Sequence, residues 1–157
     1  MIPAFAVVRA QSILYAIYRL KQQDAIPDVP VFLNSPMAID MTEIYHRHRG
    51  EHRLSDAECA GMCRVAKMVR TVEESRALNA MKYPAVIVSA SGMATGGRVL
   101  HHLKALAPDR RNTILFGAAL AVATAAVAAD HYNHPVQRAA APSAASSGTA
   151  PCAAAAP

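Results

Sequence analysis

The chain predicts an α/β fold: a Rossmann-like parallel sheet with helices on both faces. Three observations carry that expectation. Short apolar runs alternate with segments of helical spacing. The runs Val29 to Leu33 and Ala85 to Ser89 are almost continuously apolar, as strands covered on both sides are. The pattern stops at Phe116, which leaves one domain of about 117 residues, enough for a single core.

Taken in order, Pro3 to Val8 reads as a first strand, with β-branched residues at its end. Gln11 to Gln23 places Ile13, Leu14, Ile17, Tyr18 and Leu20 on one helical face. Pro27-Asp28 breaks the chain, and Val29 to Leu33 is a second strand stopped by Asn34-Ser35-Pro36. Ser35 fits an N-cap with Pro36 at the first helical position, so a helix follows from about Met37 to Tyr45. His46 to Arg53 is charged and aperiodic, expected as an exposed helix end and loop. Ser55-Asp56-Ala57-Glu58 matches a capping box and starts a short helix. Met68 to Val72 is a short strand, Glu73 to Met81 a helix, and Ala85 to Ser89 the strand before a glycine-rich loop. Arg98 to Leu106 is a helix, Pro108 to Arg111 a turn, and Asn112 to Phe116 a last strand. Residues 118–157 are an Ala/Pro/Ser-rich segment expected to be a disordered tail.

Charge follows the same division. Of 16 Lys and Arg, 15 precede residue 118, against 10 of the 11 acidic residues, so the net charge of +5 belongs to the first part. A basic domain favours anionic partners, nucleic acid among them, although the charges are scattered rather than clustered. Three cysteines make no disulfide framework, and no signal peptide is legible, so a reducing cytoplasm is the expected compartment. The apolar run from Ile114 to Ala129 is shorter than the roughly 20 residues of a membrane span, so no membrane partner is expected.

Most of the chemistry lies between Ser89 and Leu103. A buried strand enters a small, glycine-rich loop and a helix begins at its far side. Such a helix start presents backbone N–H groups and partial positive charge to an anion, and glycine lets that backbone come close. A tight structural turn is the competing reading. Arg98 in the first helical turn favours a nearby anion, because a cation there opposes the helix dipole. Candidate phosphate contacts are Ser89, Ser91, Gly92, Met93, Gly96, Gly97 and Arg98, with Arg9 and Ser35 at neighbouring strand ends. There is no G-x-G-x-x-G, no G-K-[ST] and no G-x-S-x-G, so dinucleotide, P-loop and serine-hydrolase chemistry find no support. No acidic pair suits general acid/base work.

His101 and His102 read as structural histidines. His46, His48 and His52 with Cys59 and Cys63 match no common zinc module, so two half-buried thiols and no metal site are expected.

Three segments resemble one family. Ile2-Pro3-Ala4-Phe5-Ala6-Val7-Val8-Arg9-Ala10-Gln11 is similar to its I-P-A-F-A-x-G-R-A-Q segment. Pro30-Val31-Phe32-Leu33-Asn34-Ser35-Pro36-Met37-Ala38 is similar to P-[VI]-[YF]-[LV]-D-S-P-M-A. Ser89 to Leu103 and Asp109 to Phe116 resemble S-G-M-x-x-G-G-R-x-x-x-[HY]-L and D-x-R-N-x-x-x-F. The family is the β-CASP group of metallo-β-lactamase-fold RNA-processing nucleases, and the likeness covers about residues 2–117. It implies a β-CASP half that closes over RNA and a separate half that holds two zinc ions. The H-x-H-x-D-H, S-A-H and V-H-G metal motifs have no counterpart here, so no catalytic residue and no cofactor is expected in this chain. After Phe116 the text departs from the family's pattern, as a frameshift in a GC-rich gene would produce. Val8 replaces a family glycine and Asn34 an aspartate. The resemblance implies a truncated domain that positions RNA without hydrolysing it. The alternative is a non-catalytic interaction module that docks on a metallo-β-lactamase-fold half or on a second copy.

Overall fold

The computed structural model describes residues 1–116. The expected tail, 118–157, lies outside them. The described residues form four parallel strands and five α-helices, an α/β fold. β1 (Ile2–Pro3) leads to α1 (Arg9–Gln22), β2 (Val31–Asn34) to α2 (Pro36–Arg47) and α3 (Asp56–Arg64), and β3 (Lys67–Met68) to α4 (Val72–Asn79). β4 (Val86–Ser89) and α5 (Arg98–Leu106) follow.

Strand order in the sheet is β1-β4-β2-β3. The chain steps from β1 to β2 to β3 in one direction and then returns to place β4 between β1 and β2. Parallel crossovers are right-handed, so the reversal sends α4 to the opposite face from α1–α3. The two cores confirm this division. Ile13, Leu14 and Ile17 of α1, Ile39 of α2 and Met62 of α3 pack with Val31, Leu33 and Val88. Phe32 and Ile87 point the other way and pack with Val69, Leu78 of α4 and Leu106 of α5. Successive strand residues thus serve opposite faces, as the pleat requires.

Local signals explain the helix starts. Ser35 Oγ accepts from the Ala38 N–H at 3.3 Å, with Pro36 at the first position. Ser55 with Glu58 and Thr71 with Glu74 each close a capping box.

Four expectations need correction. The first strand is only Ile2–Pro3, because the chain turns at Val8. The third is Lys67–Met68, since Val72 already belongs to α4. His46 and Arg47 are helical, and a short 3-10 turn covers Arg49–Glu51. Residues 112–116 form no strand. Met1 donates to Thr113 O at 2.7 Å and accepts from the Leu115 N–H at 2.9 Å, a parallel bridge one residue long. Leu115 and Phe116 stay exposed, so little burial extends the pairing.

Val8 shows why the family motif has glycine there. It adopts φ 68°, ψ −52°, and the Arg9 N–H donates to Val7 O at 2.8 Å. This is the strained hand of γ-turn, held by a β-branched side chain that is 53% exposed. Val8→Gly is expected to stabilise the chain by about 1 kcal/mol, since strain relief exceeds the usual entropic loss at glycine. A urea unfolding midpoint that falls instead of rising would show that the turn carries no strain.

Candidate nucleic-acid interface at the carboxyl edge

All four strands point the same way, so the segments that follow them meet at one edge, where ligands of open α/β sheets bind. The Ala4 N–H donates to Ser89 O at 2.9 Å, which ties the end of β1 to that of β4. Ser89 Oγ donates to Asn34 O at 3.0 Å, which ties β4 to β2. Val69 N–H donates to Leu33 O at 3.0 Å, which brings in β3.

The glycine loop is shaped by close approach. A Cβ on Gly92 would lie 2.9 Å from Phe5 N, so the loop backbone rests directly on the segment after β1. Gly97 caps α5 at φ 80°, ψ −166°, and a Cβ there would meet Ala90 O at 3.1 Å. Gly96 has open space around it. Ala94 also takes a positive φ, 53°. The Val99 N–H is already bonded to Ala90 O at 3.3 Å.

The predicted site residues divide into two groups. Ser89, Ser35 and Arg98 serve the fold. Ser35 caps α2, and Ser89 is buried with its hydroxyl on Asn34. Arg98 donates through Nη1 to Asn34 Oδ1 at 2.8 Å and to Val69 O at 3.0 Å, and through Nη2 to Arg70 O at 2.6 Å. Chain oxygens thus satisfy the cation that sequence reasoning assigned to an outside anion. The second group lies in the loop and after β1. Met93 is 69% exposed, whereas Ser91 Oγ is buried without a hydrogen-bond partner. Gly92 and Gly97 supply conformation, and Arg9 opens α1 beside the γ-turn.

Sequence reasoning missed a buried polar network behind this edge. Asn34, fully buried, donates through Nδ2 to Ser75 Oγ at 2.7 Å and to His102 Nε2. Because Arg98 holds Asn34 Oδ1, the amide has one workable orientation. His102 must therefore accept at Nε2 and donate from Nδ1 to Asn79 Oδ1, 2.6 Å away. It is the neutral tautomer, and burial, with the His101 imidazole and the Arg98 guanidinium nearby, pushes its pKa down to about 4. Arg70 likewise joins elements, donating to Asp40 at 2.9 Å and to Glu43. The adjacency of His101 and His102 marked one as buried, but the partners are dozens of residues away.

Residues 10–127 match the model of the Beta-Casp domain. The chain belongs to the Beta-Casp family. Among its relatives, "Ribonuclease TTHA0252" of Thermus thermophilus is 38% identical over 122 residues, covering 74% of this chain and 28% of that protein. "Transcription termination factor FttA" of Methanosarcina mazei is 32% identical over 124 residues, covering 74% and 19%. "RNase J-like protein" of Methanocaldococcus jannaschii is 31% identical over 127 residues, covering 74% and 27%. The Beta-Casp chain thus spans between a fifth and little more than a quarter of the length of these relatives.

The paired zinc ions implied for the intact family do not fit the donors here. Among the described residues, one group of three or more His, Cys, Asp or Glu can close on an ion: His46, Cys59 and Cys63. It contains no carboxylate and lies away from the carboxyl edge. Both cysteines are fully buried rather than half-buried, and His46 sits on α2 rather than in a loop. His48 Nδ1 turns to Glu51 at 3.0 Å, and His52 stacks on Tyr45.

Two predictions follow from the geometry of this edge. Gly97→Ala is expected to cost about 2–3 kcal/mol and Gly96→Ala less than about 0.5 kcal/mol, because only the first forces a side chain into a glycine-only conformation. Equal costs in chemical unfolding would refute that distinction. The second concerns acid. Unfolded histidine takes a proton near pH 6.5, while folded His102 refuses it until about pH 4. The unfolded state then binds more protons, so stability falls as pH drops through this window, by roughly 3 kcal/mol in all. In Asn34→Asp a carboxylate accepts from His102 Nε2, the imidazole keeps acceptors at both nitrogens when charged, and the loss shrinks. Unfolding titrations of both proteins between pH 7 and pH 4 test this; parallel curves would exclude His102 as the source.

Proposed function

We propose that this Beta-Casp chain is the RNA-contacting portion of a metallo-β-lactamase-fold, zinc-dependent RNA-processing nuclease. It grips the phosphodiester backbone at its carboxyl edge and does not cleave it. The supporting observation is the convergence of Phe5–Arg9, Asn34–Ser35 and the Ser89–Arg98 loop on one edge. There the chain presents backbone and small residues, and the loop holds a buried Ser91 hydroxyl with no partner. Phosphate contacts from backbone and hydroxyls position a strand without reading its sequence. The names of the relatives, ribonuclease and termination factor, agree with an RNA partner. Hydrolysis would require a metal-activated water. In this reading, zinc and its ligands belong to the other half of the intact protein. The cytoplasm is the compartment where such a protein works on RNA.

A second reading rests on a different observation. Phe5, Val7, Val8, Met37 and Met93 are all exposed large apolar side chains, and all follow strand ends at this same edge. Such a surface favours docking on a protein, either a metallo-β-lactamase-fold half or a second copy.

Filter binding of the full chain to single-stranded RNA, with a mass measurement in parallel, separates the two. The first reading expects a monomer whose affinity falls steeply with salt, as counterion release dictates, and which leaves the RNA intact. Gly96→Asp, placed where a side chain has room, is expected to weaken binding at least about tenfold by like-charge repulsion without unfolding the chain. An oligomer indifferent to RNA would overturn the first reading and support the second. Chelator-sensitive cleavage by the purified chain would overturn the absence of hydrolysis.

A further inference from the structure

A second constellation sits well away from the carboxyl edge. His46 lies ten residues along α2 from Pro36, about 15 Å down the helix axis. Cys59 and Cys63 stand one turn apart on the same face of α3. A ring nitrogen of His46 and the two Sγ atoms all lie within 4.8 Å of one another. Cys59 is completely buried and Cys63 is 3% exposed, and neither forms a disulfide. His46 Nδ1 is buried with no hydrogen-bond partner.

We propose that His46, Cys59 and Cys63 form a binding site for a single Zn²⁺ ion that ties the end of α2 to α3. Donor chemistry and geometry agree. Two thiolates and one imidazole are a borderline-soft set suited to zinc. Tetrahedral bonds of ordinary length would place these donors about 3.5–3.8 Å apart, so small side-chain rotations close the present triangle onto an ion. Charge is balanced as well. Two thiols lose their protons to solvent on binding, and the two thiolates neutralise the divalent cation, so no net charge is buried. Ligation at Nδ1 would give that nitrogen the partner it lacks. His48 and His52 do not complete the set, because they are engaged with Glu51 and with Tyr45. A water molecule takes the fourth position, as in other zinc sites with three protein ligands.

The site is independent of the RNA reading. The test uses the full chain, reduced, stripped with a chelator and titrated with Zn²⁺ alone. The expected result is one equivalent bound, release of about two protons per ion near neutral pH, and a thermal midpoint that rises with zinc concentration. Replacement of Zn²⁺ by Co²⁺ is expected to give thiolate-to-cobalt charge-transfer absorption. His46→Gln, at a position only half-buried, is expected to weaken zinc binding by more than about 100-fold, beyond the roughly 10- to 100-fold cost of losing an outer-shell partner, with its metal-free stability retained. Cys59→Ser is expected to cut the charge-transfer absorption to half or less, and Cys59→Ser with Cys63→Ser to abolish it. Cys152→Ser, which alters none of the three proposed ligands, is expected to change nothing. Absence of stoichiometric zinc binding would overturn the proposal. So would zinc affinity that survives both His46→Gln and Cys59→Ser, or a dependence on Cys152. Uptake of Cu⁺ with no uptake of Zn²⁺ would overturn the choice of metal.

Discussion

The carboxamide of Asn34 is the constraint on which the carboxyl edge depends. β2 lies between β4 and β3, and Asn34 is its last residue. From that position its Oδ1 holds Arg98, its Nδ2 holds Ser75 and His102, and its backbone oxygen holds Ser89. Arg98 extends the connection to the carbonyls of Val69 and Arg70, and His102 extends it to Asn79. The ends of β2, β3 and β4 and the helices α4 and α5 are therefore fixed by one buried polar network. Such networks are strong when complete and costly when broken, because each orphaned buried group costs about 1–3 kcal/mol.

This network also determines what the glycine loop is able to do. Its two ends are pinned, at Ser89 on one side and at Arg98 on the other, while its middle faces outward with Met93 exposed and Gly96 unobstructed. Arg98 therefore contributes a fixed positive field rather than a mobile hand for a ligand. In the proposed reading, direct contact falls to the loop backbone. A rigid frame with small exposed groups suits a repetitive, flexible partner such as a phosphodiester chain, since the protein loses little entropy on binding.

The helices and the two central strands were legible because their signals are local. The Ser35-Pro36 start and the Ser55–Glu58 capping box reappear as actual caps, and the apolar runs of β2 and β4 reappear as strands buried on both faces. Edge pairing was not legible. Pro3 to Val8 has strand composition, yet a γ-turn at Val8 ends the extension, and only the family's glycine at that position hinted at it. Residues 112–116 have strand composition too, but their pairing is with Met1, the residue before β1, and does not extend. The reading of Arg98 shows a different limit. Helix-dipole reasoning called for an anion near that cation, and local composition gave no sign of the oxygen of Asn34, 64 residues earlier, that the guanidinium meets.

The placement of His46 against Cys59 and Cys63 has the same lesson and a further consequence. The four-residue spacing of the cysteines put two thiols on one face, and nothing local pointed to which histidine would join them. α2 settles the matter, for it starts at the carboxyl edge and carries His46 about 15 Å away from it. That separation matters electrostatically. Paired thiolates beside the proposed phosphate site would repel the ligand, whereas a charge-balanced zinc site about 15 Å away along α2 adds little to the edge's field. The two proposed sites are thus compatible in one small domain because a single helix holds them apart: its N-terminal end is built into the polar edge, and its C-terminal end supplies the imidazole.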